Sequence, residues 1–215
     1  MDDELYLEIS DDYKDIEYFD IDSPYEEYHS GKRFNQVRVS VKREGKTIAY
    51  LECILFFDEK INEAGADLVS VADDELNDDS YEAMQILEEQ GLLNRDEESN
   101  LYYLLATNPV STVYLQHIAV REDFGGKGIG EWLVRNLPSI IEINCKVCLG
   151  VIIVKLYPER VDWSYNTPMF SPDLGEPEED AGMFLVMKKL FEANGYVRHK
   201  KSLFFIRDFA WNEVE

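Results

Sequence analysis

Basic side chains are scarce in this sequence. Against 44 Asp and Glu stand 21 Lys and Arg and 3 His, a formal net charge of −23 at pH 7. That balance argues against direct nucleic-acid binding, because phosphate contacts need a basic surface. Cysteine is sparse too. Cys53, Cys145 and Cys148 are odd in number, which argues against a disulfide framework. The C-x-x-C spacing of Cys145 and Cys148 lacks a second pair to complete a zinc site, so no metal is expected and all three read as buried thiols. No apolar run reaches the ~18 residues of a membrane span. The opening "MDDELYLE" is acidic and lacks the basic flank of a secretory signal. A cytoplasmic protein without a membrane partner is the expectation.

What is present comes next. A chain of 215 residues can bury a core without staples, and we read it as a single domain over 1–215. Its charge is uneven. Residues 1–110 hold 29 acids and 9 bases, whereas residues 111–215 hold 15 and 12. The acidic half would attract a cationic partner: a polyamine, an aminoglycoside-like molecule or a Lys/Arg-rich protein. Solubility alone is the competing explanation of the same charge. Oligomeric state is left open, a homodimer included.

Periodicity supplies the elements. Residues 1–30 contain the strand-like pieces "LYLEI" and "IEYFDI". Val37, Val39 and Val41 alternate with polar partners, "REGK" supplies a turn, and Ile48–Phe57 returns as a second strand. Residues 58–110 read as an acidic helical insertion, with Ala83, Ile86 and Leu87 at helical spacing and Gly91 as a stop. "LYYLLAT" follows as a helix end or short strand. Val113–Val120 is a strand, and a helix runs from Gly128 to about Leu137, where Pro138 should end or kink it. Val147–Leu156 is a continuous apolar strand suited to burial on both faces. Residues 158–181 are proline-rich and read as a long, lid-like loop. "MFLVMKKLFEANG" is a helix closed by Gly195, and "LFFIRDF" is the last strand. The order predicts an α/β fold with a mixed, mostly antiparallel central sheet and flanking helices.

One stretch carries chemistry: "VYLQHIAVREDFGGKGIGEWLVRNL", Val113 to Leu137. A strand ends in a glycine-rich turn that opens a helix. The first helical N–H groups have no intrahelical partner, and the helix dipole adds partial positive charge there. Glycines let an anion approach the backbone closely. "GGKGIG" therefore suits a phosphate or pyrophosphate. It is no Walker loop, because Lys127 is followed by Gly128 rather than Ser or Thr. Nor is it a dinucleotide fingerprint, because Gly126-x-Gly128-x-Gly130 has the wrong spacing.

This run resembles the signature of the GNAT superfamily, the acyl-CoA-dependent N-acetyltransferases, which reads [QR]-x-x-G-x-[GA] after an apolar-x-Val strand end. Gly128 and Gly130 match its last positions; Gly125 stands where Gln or Arg is usual. "LFEANGYV", Leu190 to Val197, is similar to the family's "LYEKLGF" helix end. The likeness covers roughly residues 113–210 together with the hairpin "VSVKREGKTIAYLE". It implies a GNAT-like sheet with acetyl-CoA in the cleft where two central strands splay. The pyrophosphate would be held at Gly125, Gly126, Lys127, Gly128, Ile129, Gly130 and Glu131. The pantetheine arm would pair with the backbone of Ile118, Ala119 and Val120.

Acetyl transfer to an amine needs a proton acceptor, an N–H donor for the developing oxyanion and a proton for the departing thiolate. By the resemblance, the base positions fall at Tyr114 and Gln116, either of which could hold a relay water. Glu52 on the return strand is a further candidate, as a surface carboxylate. Imidazole ordinarily titrates near neutrality, but strict strand alternation turns His117 away from Tyr114, Gln116 and Ile118. The family's tyrosine acid falls on Phe191, which cannot donate; Tyr157, Tyr165 and Tyr196 are the substitutes. Two function classes follow. One is an N-acetyltransferase acting on an amine of a cationic small molecule or basic protein. The other is a catalytically weak or inactive acidic binding protein on the same fold, engaging a basic protein.

Overall fold

A computed structural model describes residues 33–43, 46–93, 110–157, 159–164, 168–172 and 182–209. The strand-like pieces of residues 1–30 and "LYYLLAT" lie outside these residues. The chain forms β1 (Phe34–Arg43), β2 (Lys46–Phe56), α1 (Asp58–Glu63), α2 (Leu68–Glu75), α3 (Asp78–Glu89) and β3 (Val110–Val120). Then come α4 (Ile129–Cys145), β4 (Cys148–Lys155), β5 (Glu159–Asp162), β6 (Met169–Pro172), α5 (Gly182–Ala193), β7 (Val197–Arg198) and β8 (Phe204–Asp208). The main sheet has the order β1-β2-β3-β4-β8-β7. Every neighbouring pair is antiparallel except the central pair β3 and β4. This is the mixed, mostly antiparallel α/β sheet that the element order predicts.

Each face of the sheet carries its own core. Val37, Val39 and Val41 alternate inward on β1 with Ala49, Leu51, Cys53 and Leu55 of β2, and α4 and α5 cover that face. Ile54, Phe56, Tyr114, Ile153 and Phe204 point to the other face, where Ile61, Leu68, Val71, Ala83, Met84 and Leu87 of α1 to α3 pack on them. The acidic insertion is thus the second layer of the fold over residues 58–89. Ala83 and Leu87 are fully buried, and Gly91 ends the segment with φ 66°, as the spacing predicts. Two polar ties reinforce it. Asp58 accepts hydrogen bonds from the Thr112 amide and hydroxyl, both at 3.0 Å. Lys155 donates to Asp79 at 2.7 Å and to Glu82 at 2.9 Å. Burial pulls the Lys155 ammonium down, but these two carboxylates outweigh it and hold its pKa above the usual lysine value.

Two expectations fail here. The helix does not end at Pro138: α4 runs through it to Cys145. Proline costs about 3 kcal/mol inside a helix. The buried stripe Leu133, Val134, Leu137, Ile140, Ile141 and Cys145 spans the break, and each such side chain contributes ~1.5–3 kcal/mol on burial, so packing wins. Second, residues 158–181 are not wholly loop. They hold the β5–β6 hairpin, paired from Glu159↔Pro172 to Asp162↔Met169.

Candidate functional site

The parallel pair at the centre of the sheet comes apart. β3 pairs with β4 only from Val110↔Cys148 to Leu115↔Val154, whereas it stays paired with β2 as far as Ala49↔Val120. Among the described residues, no strand covers the other edge of Gln116, His117, Ile118, Ala119 and Val120. A fork therefore opens in the sheet, edged by backbone. Backbone polar groups seek partners when removed from water, so this edge can hold an extended ligand carrying amides.

A bulge sits where the fork begins. In the β2–β3 register Glu52 faces His117 and Cys53 faces Leu115, so Gln116 is an extra residue. An extra residue resets the side-chain phase of a strand. Tyr114 faces Ile54, His117 faces Glu52 and Ala119 faces Tyr50, all on the α1–α3 face; Ile118 and Val120 turn to the α4 face instead. This overturns the alternation argument: His117 shares a face with Tyr114, and Ile118 does not.

Below the fork a cavity of ≈ 310 Å³ is lined by Asn77 and Asp79 at the start of α3, Tyr114, Gln116 and His117 of β3, Lys155 of β4, and Tyr157. Gln116 Oε1 is buried and has no hydrogen-bond partner. An unpaired buried acceptor costs ~1–3 kcal/mol, and a ligand N–H would remove that cost. Phe170 of the β5–β6 hairpin stacks on His117, with ring centroids 4.3 Å apart and planes 9° from parallel. It also leans on Tyr50 at 5.8 Å.

Glu52 is not the surface carboxylate expected. It is buried, and both its oxygens are engaged: Arg38 Nε donates to Oε1 at 3.0 Å and Tyr50 OH to Oε2 at 2.9 Å. Burial, and then the Glu52 charge, push the Tyr50 phenol well above its usual range. Phe191 is fully buried, edge-on to Tyr196 at 5.0 Å. The Tyr196 hydroxyl is itself buried without a partner, and burial raises its pKa far above the phenol range. Tyr196 does not line the cavity; Tyr157 does. Tyr165 lies outside the described residues. Removing an unsatisfied hydroxyl from an apolar site is favourable, so Tyr196→Phe should raise stability by about 1 kcal/mol, read as a higher melting temperature. A loss of stability would show that the hydroxyl has a partner.

On the opposite face, β3 leads through a short turn at Glu122–Phe124 to α4. Gly126 and Gly128 take left-handed φ values of 70° and 82°, and Gly128 caps α4 without a side chain. The amides of Ile129, Gly130 and Glu131 occupy the first helical turn. Gly125 closes the preceding turn by donating to the Glu122 carbonyl at 3.0 Å. A Cβ there would come within 3.1 Å of that oxygen, which accounts for glycine at this position. At Gly130 a Cβ would make only ordinary contact, 3.6 Å from Val120. Lys127 Nζ lies 4.8 Å from the centre of the Phe124 ring, and Glu131 is paired with Arg135. Two of the three cysteines are buried as read, Cys53 and Cys145, whereas Cys148 at the start of β4 is half-buried; burial pushes the Cys145 thiol up to about 12.

Sequence reasoning missed the bulge, Phe170, Asn77, Asp79 and Lys155. No local signal marks the bulge, which exists only in the pairing of β2 with β3. The one local signal lies in "NDDS", where Asn77 caps α3 by accepting from the Ser80 amide at 2.9 Å. What it could not say was that this helix start would meet the end of β4.

No protein-family model matches the chain, and no curated protein does. Among solved structures the chain is similar to the crystal structure of an aminoglycoside acetyltransferase, AAC(6')-Ib, in complex with coenzyme A and kanamycin. The TM-score is 0.38 and the identity 12%, over 81% of this chain and 67% of that one.

Proposed function

We propose that the chain is an N-acetyltransferase that moves an acetyl group from acetyl-CoA to an amine of a cationic acceptor. The observation that carries this reading is the fork between β3 and β4, which opens between the glycine-capped N-terminus of α4 and the cavity at Tyr114 and Gln116. The first-turn amides of α4 and the backbone of Gly125 to Gly128 would take the pyrophosphate. The free edge of Ile118, Ala119 and Val120 would take the pantetheine amides, and one of its N–H groups the developing oxyanion. At roughly 3.3 Å per residue, the strand from His117 to Val120 covers ~10 Å, so an extended arm is needed to link the two ends. Gln116 Oε1 supplies an acceptor for a substrate N–H, and Tyr114 closes the wall behind it. Glu52 has both oxygens engaged, by Arg38 and Tyr50, and does not line the cavity.

On the cavity wall Asp79 is paired with Lys155, so the negative field comes from the excess acid of the first 110 residues. A cationic acceptor is therefore favoured in encounter. The test is thiol release from acetyl-CoA with spermine, kanamycin and a Lys-rich peptide as acceptors. The expected result is turnover with at least one of them, with kcat/KM falling several-fold between low and 0.5 M salt as screening shortens the field. Turnover indifferent to salt would leave the acidic surface a solubility feature. Binding of the basic peptide without turnover would favour the inactive binding protein.

A further inference from the structure

We infer that His117 is the proton-transfer group of the reaction, held in register by Phe170 of the β5–β6 hairpin; this rests on the acetyltransferase reading above. Three observations converge on it. The bulge at Gln116 turns His117 into the cavity beside Tyr114. Phe170 stacks flat on the imidazole at 4.3 Å, which fixes the ring plane. The neighbouring carboxylate, Glu52, is committed to Arg38 and Tyr50. The other charged or titratable groups around the cavity are Asp79, Lys155, Tyr114 and Tyr157, and Lys155 is clamped by Asp79 and Glu82. His117, turned into the cavity and stacked by Phe170, brings to it the imidazole that serves as a proton shuttle in catalysis.

The step balances. An acceptor arriving as an ammonium gives one proton to solvent through the imidazole. The amine lone pair then attacks the thioester carbonyl carbon, the C–N bond forms, and the C–S bond breaks. The nitrogen's second proton passes to His117, and the imidazolium returns it to the departing thiolate. One residue thus serves as base and acid in turn, which accounts for a site whose expected acid position, Phe191, is buried and cannot donate.

Bromoacetyl-CoA tests this without knowledge of the acceptor. Its bromomethyl carbon stands in for the acetyl methyl; an imidazole nitrogen that reaches it forms an N–C bond and releases bromide. The intact chain is incubated with the reagent, and adducts are mapped by peptide mass spectrometry, with and without excess CoA. The expected result is a CoA-protected adduct on His117. His117→Gln should remove it while calorimetric affinity for the reagent stays within threefold. Phe170→Ala should slow labelling at least fivefold with the affinity likewise kept. A protected adduct on Tyr114, Tyr157 or Cys148 instead, or bound reagent with no adduct, would overturn the assignment of His117. Failure of the reagent to bind at all would overturn the acyl-CoA reading with it.

Discussion

Gly128→Glu is expected to abolish acetyl-CoA binding, raising Kd by more than 100-fold in calorimetry. Gly128 caps α4 with φ 82°, a conformation that costs an ordinary L-residue about 1–2 kcal/mol. The added carboxylate also competes for the helix N-terminus, where the dipole attracts anions, and repels a phosphate that comes near. The two effects add, and only the second is specific to the ligand. Gly128→Asn separates them, because asparagine tolerates the left-handed region. That variant should keep Kd within about tenfold of the parent and melt within a few degrees of it. A folded Gly128→Glu chain with unchanged affinity would remove the pyrophosphate from this loop.

Leu87→Ala is expected to destabilise the protein by about 2–5 kcal/mol, the range for truncating a buried leucine. Leu87 is fully buried in the core that α3 shares with Ile54, Tyr114 and Ile153. For a chain of this size that cost lowers the melting temperature by roughly 4–20 °C. Exposed Glu88, one position on, should cost less than about 0.5 kcal/mol when changed to alanine. The contrast decides whether the acidic helices are an appendage or a layer of the fold. A Leu87→Ala chain that melts with the parent would mean that α3 does not share the core. It would also undercut the cavity, because α3 brings Asn77 and Asp79 to its wall.

The strands and helices were legible because their periodicity is local. Val37, Val39 and Val41 mark the inward side of β1, and "MFLVMKKLFEANG" closes α5 on Gly195, which takes φ 83°. The glycine turn before α4 was legible for the same reason: the positive φ of Gly126 and Gly128 is a property of a few consecutive residues. What the sequence hid was long-range. Whether Gln116 bulges depends on how β2 aligns with β3, and that alignment alone moved His117 to the other face. Phe170 lies more than 50 positions from His117 in sequence, with nothing local to join them. Pro138 misled in the opposite direction: a local rule gave way to a stripe of buried side chains on both sides of it.

The most direct test of the account is titration of the unmodified chain with acetyl-CoA, by calorimetry and by thermal melting. Saturable binding is expected. At 100 times the dissociation constant a ligand stabilises by about 2.7 kcal/mol, so the melting temperature should rise by roughly 5–10 °C. A folded chain that shows neither heat nor thermal shift at millimolar acetyl-CoA would contradict it, and the glycine loop would then be a structural turn beneath a fork that holds something else.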